Sequence, residues 1–340
     1  MVKNEGKVLA RCLESIKEHI DYWVIVDTGS TDNTKEVIKK QLSDIKGELY
    51  ERPWVNFGHN RTELMELAKG KADYLLLIDA DMTLNVQDSC FRSRLFLDSY
   101  YIKYEGDVEY GQKLLVNGKH DWKYTGVTHE YISSDSDKTS DYSKEISLTH
   151  FCDGARRGEK ITDDIVLLET GLSVEPNNER YTFYLANSYR DAGQFEKAIE
   201  FYDKRVKMEG WDQEIYYSLY QKAICLARSQ KVFPIVEFLI AHRYRPTRLE
   251  ALYEVIRSFR LNSFYKEGYA FSKDFLNLPY PSDNLFVDKG IHEWKFYDEF
   301  SLCAYYAKDL DLARTYMNIA LERGDEHSKK RIKNNLSFLR

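Results

Sequence analysis

Two aspartates stand directly after an apolar run in the segment Leu75-Leu76-Leu77-Ile78-Asp79-Ala80-Asp81. The four apolar residues predict a strand that is buried on both faces. Packing alone gives no reason for two acids there, because a buried charge must be paired or must hold a metal. Oxygen ligands at the carboxyl end of a parallel strand suit a hard divalent cation and a diphosphate. The segment therefore predicts an enzyme that acts on a nucleotide-activated substrate.

Another acid follows a second strand candidate, Tyr22-Trp23-Val24-Ile25-Val26. Asp27 comes next, at the start of a loop rich in turn residues. In an open α/β sheet the ligand sits outside the carboxyl ends of the strands, so Asp27 is expected to face the same crevice as residues 79–81. A hydrogen bond from a base N–H to Asp27 would favour a uracil-like ring. We interpret Asp32-Asn33-Thr34, further along the loop, as helix capping.

The elements that position these acids alternate along the first part of the chain. Helical spacing of apolar residues predicts helices over 8–20, 34–42 and 61–69, between the strand candidates. This alternation predicts a mainly parallel sheet covered by helices. Between about 100 and 150, Gly and Asn interrupt short Tyr-, Val- and Ile-rich stretches, which predicts antiparallel hairpins near 105–107 and 117–118. The polar run 133–143 predicts a mobile surface loop.

From about residue 160 onward the pattern is helical. Between Tyr181 and Val206, large and small residues occupy the packing positions of a 34-residue tetratricopeptide repeat, namely Leu185, Ala186, Tyr189, Gly193, Phe195, Ala198 and Tyr202. Residues 300–321 repeat the scheme, and two less regular helix pairs fit at about 214–244 and 249–277. The second half is therefore expected to be an α-solenoid of about four helix pairs.

Composition narrows the classes of function. A chain of 340 residues suggests about two domains, and its net charge of −6 argues against a general nucleic-acid or anionic-membrane binder. The five cysteines are scattered and show no metal-ligand spacing, which fits a reducing compartment. We find neither an apolar run of membrane-spanning length nor the apolar region of a signal peptide, so the expected location is cytoplasmic.

Several segments, taken together, carry a resemblance to a known family. They are Val2-Lys3-Asn4-Glu5, Arg11-Cys12-Leu13, the loop sequence 24–34, and the stretches 54–61, 122–131, 153–156, 180–193 and 210–212. They resemble the inverting family 2 glycosyltransferases of the GT-A fold, in particular a subgroup with tetratricopeptide-like helices. The resemblance spans nearly the whole chain. It implies an α/β GT-A (Rossmann-like) catalytic domain over residues 1–155 and an all-α tetratricopeptide-like domain over residues 156–340.

The resemblance also implies roles on the donor side. A nucleotide-sugar donor would be contacted by residues of both strand ends and of the helix before the acidic turn, namely Asn4, Glu5, Asp27, Arg61, Asp79, Ala80 and Asp81. Asp81 would bind Mn²⁺ or Mg²⁺, and the metal would neutralise charge on the leaving diphosphate. His150, after the last strand of the domain, would complete the metal site, since neutral imidazole is an acceptable ligand for Mn²⁺. Arg156 would offer a cation to the diphosphate.

A general base is required on the acceptor side, because inverting transfer is a single in-line displacement. Glu130 lies where the subgroup has a His-Glu pair, so we expect it to take the proton of the acceptor. His129 would orient the acceptor or share the proton transfer. The alternative interpretation makes Glu130 a surface residue beside a hairpin, and makes Asp79 and Asp81 solvated turn acids.

The predicted function is metal-dependent, inverting transfer of a hexose or N-acetylhexosamine from a UDP-sugar to an acceptor. Helical repeats form concave grooves that bind extended peptides, which suits a protein, peptide or glycan acceptor. Alternatively, the helices close the active site or form a homodimer face. Two other classes compete. One is a repeat-based interaction protein whose sugar-nucleotide domain is inactive or only senses ligand. The other is a nucleotidyltransferase, which would need a Gly-rich phosphate loop that residues 1–20 lack.

Overall fold

The chain forms two compact units in a computed structural model that describes residues 1–105, 111–154, 160–229 and 232–339. The first unit is Met1–Val174 and the second is Glu175–Arg340. The first unit thus includes the helix Lys160–Val174, which the sequence-based division after residue 155 assigns to the helical part. The limits of the functional domains stay a prediction.

Strands and helices alternate in the first half of the first unit, as predicted. The helix α1 forms because Leu9, Cys12, Leu13 and Ile16 recur at helical spacing and are all buried. The elements are α1 (Leu9–Ile16), β1 (Trp23–Asp27), α2 (Thr34–Gln41), β2 (Gly47–Glu51), α3 (Phe57–Ala68), β3 (Tyr74–Leu76), β4 (Met82–Val86), a 3₁₀ turn (Phe91–Arg94), β5 (Ser99–Tyr104), β6 (Gly111–Asn117), β7 (Lys123–Thr125), β8 (Tyr131–Ser133), β9 (Ser140–His150) and α4 (Lys160–Val174).

The pairing of the strands corrects the expectation of a mainly parallel sheet. β1 and β2 pair in parallel, but β3 pairs antiparallel with β6 in a five-stranded sheet of order β3-β6-β5-β9-β4. Within that sheet only β5 and β9 are parallel. β3 and β4, although joined by the short acidic turn, lie at opposite edges of this sheet. Between β3 and β9 the described residues form no α-helix, which is the usual crossover between parallel strands.

The hairpin expectations have mixed outcomes. β5 and β6 are antiparallel neighbours, as predicted, although residues 106–110 of the connection lie outside the described residues. β7 and β8 form a second antiparallel pair. The predicted surface loop 133–143 is too long, because β9 already begins at Ser140 and pairs with β5 there. β9 also pairs with β4, which places His150 at the end of β9 opposite Met82.

A cavity of about 340 Å³ borders β1 and β3. Its lining includes consecutive residues of both strands, together with apolar side chains of α1 such as Leu9 and Leu13. Residues 75–78 are accordingly only half-buried, which corrects the prediction of a strand buried on both faces. The closely packed part of the core lies instead around the middle of the five-stranded sheet, where Ile102 and Leu148 are fully buried.

The second unit is helical, as predicted. Gly193, which adopts φ +73°, separates the first two helices, and the repeat residues Leu185, Ala186 and Tyr202 are fully buried. The helices pack as four successive pairs followed by a last helix: α5 (Glu179–Asp191) with α6 (Phe195–Val206), α7 (Asp212–Ser229) with α8 (Ile235–Tyr244), α9 (Glu250–Leu261) with α10 (Tyr265–Ser272), α11 (Phe296–Tyr306) with α12 (Leu310–Arg323), and α13 (Glu326–Ser337). Among the described residues, none of the helices combines the length and apolar character needed to cross a bilayer.

A buried ionic cluster joins the middle helices of the second unit. Arg248 is fully buried and donates hydrogen bonds to Glu250 at 2.8–3.0 Å, to Asp283 at 3.2 Å and to the carbonyl oxygen of Leu285 at 3.1 Å. Burial by itself would raise the pKa of Glu250, but His292 and Arg248 outweigh it and lower that pKa to about 2. Glu250 and Arg248 therefore both stay charged at neutral pH.

We expect Arg248→Met to destabilise the helical unit by about 3–5 kcal/mol, because it removes the buried cation that Glu250 and Asp283 share and leaves Asp283 paired with Arg245 alone. Urea unfolding followed by far-UV circular dichroism measures the loss. Arg257→Met is the matched control, since the Arg257 side chain is 47% exposed and only pairs with Glu254 at 3.4 Å. Equal unfolding midpoints for the two variants would contradict the importance of the cluster.

Candidate active site

The loop after β1 is held by the segment that follows Val2. Asn4 adopts φ +57°, a left-handed conformation that Asn tolerates better than most residues. Its backbone N–H donates to Ser30 Oγ (2.9 Å), and its side-chain Oδ1 accepts from the Thr31 N–H (2.7 Å). The Glu5 N–H donates to Thr34 Oγ1 (2.8 Å). Asn4 and Glu5 thus lie against the loop, as expected for residues near a nucleotide, although contact with one stays a prediction.

Asp32 closes the same loop. Its Oδ1 accepts from the Thr34 N–H and its Oδ2 from the Gly6 N–H, both at 3.0 Å. Desolvation alone would raise the pKa of Asp32, but these hydrogen bonds outweigh it and lower that pKa. The capping interpretation therefore fits Asp32, whereas the side chain of Asn33 makes no capping hydrogen bond.

Asp27 is the most enclosed acid at the end of a strand, at 1% exposure. Its Oδ1 accepts hydrogen bonds from the N–H groups of Gly29 and Ser30, both at 2.8 Å. Its Oδ2 is buried and has no hydrogen-bond partner in the described part of the chain. A buried acceptor without a partner is costly and uncommon in folded proteins. Asp27 Oδ2 is therefore suited to accept a hydrogen bond from a ligand.

Asp79, after β3, pairs with a cation from α3. Its Oδ1 accepts from an Nη–H of Arg61 at 2.8 Å, and the Asp79 side chain remains 41% exposed. Desolvation alone would raise the pKa of Asp79, but the Arg61 charge outweighs it and lowers that pKa. The thiol of Cys12, on α1, approaches the Asp79 carbonyl oxygen at 3.4 Å, which ties the turn to that helix.

Arg61 also reaches the predicted base. Its Nε lies 2.8 Å from Oε1 of Glu130, as an ion pair without a directed hydrogen bond. The guanidinium carbon stands 5.5 Å from the centre of the Tyr124 ring. Burial alone would lower the pKa of Arg61, but the charges of Asp79 and Glu130 raise it above its ordinary value. Arg61 therefore stays charged and joins two carboxylates; its predicted contact with ribose or phosphates stays a prediction.

Asp81 faces His150 across the β4–β9 pair. Asp81 Oδ2 lies 3.2 Å from His150 Nε2, and it also accepts from the Gly154 N–H at 3.3 Å. The Phe151 N–H donates to the Asp81 carbonyl oxygen at 3.0 Å. Ala80, between the two acids, is buried at 8% exposure, where a larger side chain would disturb the turn. The ladder between β4 and β9 thus brings one carboxylate and one imidazole together.

These two side chains fit part of a metal site. A carboxylate oxygen and an imidazole nitrogen are acceptable ligands for Mn²⁺, which also takes oxygen from phosphate and water. Within residues 1–105, 111–154, 160–229 and 232–339, no three His, Cys, Asp or Glu side chains cluster closely enough to hold a metal. Asp81 and His150 would therefore need further ligands from the diphosphate and from water. Arg156, the predicted diphosphate contact, lies outside the described residues.

The segment after β9 is fixed by an arginine to which the sequence assigned no role. Arg11, on α1, donates to both carboxylate oxygens of Asp153 at 2.7 and 3.1 Å. Its guanidinium carbon also lies 3.7 Å from the centre of the Phe151 ring. The bidentate pair holds the residues that follow His150 against α1. Sequence alone could not reveal this pair, because its members are 142 positions apart.

Glu130 stands at the end of a short turn that α4 supports. The Glu130 side chain is 12% exposed, and its Oε2 has no hydrogen-bond partner among the described residues. His129 adopts φ +49° and its Nε2 lies 3.6 Å from Oδ2 of Asp164, a buried residue of α4. Asp164 was not among the predicted site residues, because no local feature of the sequence indicates that α4 meets the turn. Asp164 of α4 therefore lies against His129, which is next to the predicted base.

The structure thus brings the predicted residues into three groups. Asn4, Glu5 and Asp27 surround the loop after β1. Arg61 joins Asp79 to Glu130. Asp81 meets His150.

Alternating strands and helices with carboxylates after β1 and β3 are typical of Rossmann-like GT-A sugar-nucleotide domains. Residues 1–89, which contain both strand ends, match the family model described as Glycosyl transferase family 2. Residues 1–89 are therefore similar to family 2 glycosyltransferases, and the described residues from 175 onward form successive pairs of helices.

The chain is similar to a glycosyltransferase and to a repeat-containing protein. The SPbeta prophage-derived glycosyltransferase SunS of Bacillus subtilis is 24% identical over 225 residues, 61% of this chain and 52% of SunS. A TPR repeat-containing protein of Synechococcus elongatus is 32% identical over 85 residues, 25% of this chain and 20% of that protein. The chain thus spans about half the length of the glycosyltransferase relatives it matches.

Similarity to solved structures is weak. S. aureus TarS 1–349 in complex with UDP-GlcNAc is 12% identical with a TM-score of 0.32, covering 93% of this chain and 88% of that one. MamA is 18% identical with a TM-score of 0.38, covering 52% of this chain and 96% of that one. Scores this low establish no further correspondence between residues.

Proposed function

We propose that the chain is an inverting glycosyltransferase that moves a hexose or N-acetylhexosamine from a UDP-sugar to an acceptor nucleophile. The observation that carries this proposal is the buried Oδ2 of Asp27 at the carboxyl end of β1, which has no hydrogen-bond partner among the residues that the structure describes. A uracil ring presents an N–H that could satisfy this oxygen. Within a family 2 glycosyltransferase domain, a nucleotide-sugar is the ligand that brings such a base to the site.

Different residues would bind the donor and deprotonate the acceptor. Asp27 binds the base, while Asn4 and Glu5 keep its loop in place. Asp79 contacts the sugar nucleotide, with Arg61 holding its carboxylate. Glu130 takes the proton of the acceptor as the new glycosidic bond forms and the bond to the diphosphate breaks.

A divalent cation, Mn²⁺ or Mg²⁺, would stabilise the negative charge of the leaving diphosphate when bound. Asp81 and His150 are the residues that would hold it, because their ligand atoms already converge at 3.2 Å. Gly154 supports this arrangement by donating its N–H to Asp81.

The helical unit offers a candidate surface for a protein, peptide or glycan acceptor. The Arg180 guanidinium carbon lies 4.8 Å from the centre of the Tyr184 ring, and Arg190 donates to the Tyr217 hydroxyl at 3.3 Å. Phe286, which is 51% exposed, contacts Tyr217 with ring centres 4.8 Å apart. Aromatic rings with polar ends bind extended chains through both apolar and hydrogen-bonding contacts.

We expect Asp27→Asn to weaken UDP binding about 10- to 100-fold, the effect of losing a buried hydrogen bond to a charged group. Asn keeps an oxygen for the N–H groups of Gly29 and Ser30, so the loop should survive. Isothermal titration with UDP measures the change. Asp121→Asn, whose side chain is 87% exposed before substitution, should bind UDP like the unaltered chain. If Asp27→Asn binds UDP as tightly as the unaltered chain does, the proposed contact between Asp27 and the base is refuted.

Asp81→Ala should abolish the dependence of UDP binding on Mn²⁺, because it removes a proposed ligand of the ion. Titration of UDP with and without Mn²⁺ measures this directly, and nucleoside diphosphate release reports the loss of transfer. Asp141→Ala, an exposed residue of β9, is the control. The metal assignment fails if the Asp81 variant retains both Mn²⁺-dependent binding and full turnover.

Glu130→Gln should lower kcat about 10²- to 10⁴-fold while leaving UDP affinity nearly unchanged, because it removes the base and keeps the shape of the side chain. A panel of nucleotide-sugars, read by release of UDP or GDP, first identifies the donor to use. Glu66→Gln, an exposed site on α3, is the control. Unchanged turnover in the Glu130 variant would move the base to another residue.

A further inference from the structure

The turn that carries Glu130 is unusually tight. Gly126 adopts φ +119° and His129 φ +49°. A Cβ placed on Gly126 would lie 3.2 Å from the Glu130 Cα and 3.2 Å from the Thr128 carbonyl oxygen. The two ends of the turn are therefore in contact. Any displacement of its middle residues must move Glu130.

The N-terminus of α3 supports one side of this turn through the backbone. The Phe57 N–H donates to the Val127 carbonyl oxygen at 3.1 Å. Gly58 packs so closely that a Cβ there would lie 2.3 Å from the Gly126 carbonyl oxygen. Arg61 also lies on α3. The same helix therefore supports this side of the turn and supplies the cation that pairs with Glu130.

The other side of the turn contacts a buried carboxylate of α4. Asp164 Oδ1 accepts from the Thr128 hydroxyl at 2.8 Å, and Asp164 Oδ2 lies 3.6 Å from His129 Nε2. Asp164 and Thr128 are each 4% exposed. Burial alone would raise the pKa of Asp164, but its contacts with His129 and Thr128 outweigh it and lower that pKa. The anchor is therefore a buried carboxylate with one oxygen hydrogen-bonded to Thr128 and the other close to His129.

We infer that Asp164 is a positioning residue for proton transfer: it holds the turn 126–130 so that Glu130 meets the acceptor at the correct distance. This inference rests on the proposed function, in which Glu130 is the general base. A base must lie within hydrogen-bond reach of the proton it removes, and a misplacement of about 1 Å costs on the order of 10²-fold in rate. Asp164 acts through the turn and does not itself touch the reacting atoms.

The first test compares steady-state kinetics of four variants. Asp164→Ala should lower kcat about 10- to 100-fold with donor affinity within about twofold of the unaltered chain. Asp164→Asn keeps an acceptor for Thr128 and should recover part of that loss. Thr128→Val should resemble Asp164→Ala, and Thr128→Ser should recover activity. A parallel loss of donor affinity and kcat in Asp164→Ala would indicate general damage and overturn the inference.

Asp163→Asn provides the matched control, because Asp163 is the neighbouring acid on the same helix and is only partly buried. Its kcat should stay within about twofold of the unaltered chain, well below the loss expected from a misplaced base. A loss as large as that of Asp164→Ala would show that negative charge on α4, and not contact with the turn, is what matters.

A double variant tests whether Asp164 works through Glu130. Once Glu130→Gln has removed the base, adding Asp164→Ala should cause no further loss of kcat, since residues that act as a unit are non-additive. Independent effects that multiply would contradict the positioning role.

Amide hydrogen exchange separates this inference from the proposed function. In Asp164→Ala, amides of residues 127–130 should exchange about tenfold faster, the factor expected from losing one hydrogen bond to a charged group; Asp163→Asn should leave them unchanged. Faster exchange in a chain that turns over no nucleotide-sugar would retain the anchor and reject the proposed function. If Asp164→Ala changes neither the exchange of these amides nor kcat, the positioning role of Asp164 is rejected and the proposed function is not.

Discussion

The candidate site depends on one guanidinium held between two carboxylates. Arg61 contacts Asp79 at 2.8 Å and Glu130 at 2.8 Å. Two carboxylates that share a site without a cation repel each other, and one of them takes up a proton. Here the pKa of Asp79 is lowered despite desolvation, because Arg61 outweighs it. The acid after β3 and the proposed base are therefore electrostatically coupled through a residue of α3.

The loop after β1 is organised by different forces. Side-chain hydrogen bonds to backbone N–H groups shape it, with Asn4, Asp27 and Asp32 as the acceptors. One consequence is that Asp27 Oδ2 is already buried in the free chain, before a ligand arrives. Binding costs are smaller when polar groups are already fixed and desolvated in the free protein. Burial of this oxygen thus costs the free chain some stability but favours the binding of a ligand that donates an N–H.

Local signals in the sequence predicted much of this arrangement. An apolar run followed by acids, turn residues after β1 and the small and large positions of the helical repeats each depend on neighbours in the chain. Pairings between distant segments were not predictable. β3 joins β6 and borders a cavity; Asp164 meets Thr128 across 36 positions. Such contacts arise from tertiary packing, and no periodicity or spacing encodes them.

Which of the nearby acids can accept a proton depends on which of their carboxylate oxygens already have a hydrogen-bond or ion-pair partner. Both oxygens of Asp153 are bound by Arg11, and both oxygens of Asp164 face partners in a buried position. Glu130 uses Oε1 for Arg61, while Oε2 has no hydrogen-bond partner among the described residues. A general base needs a lone pair that the acceptor can reach. If Glu130 is that base, the proton would go to Oε2 while Oε1 remains paired with Arg61.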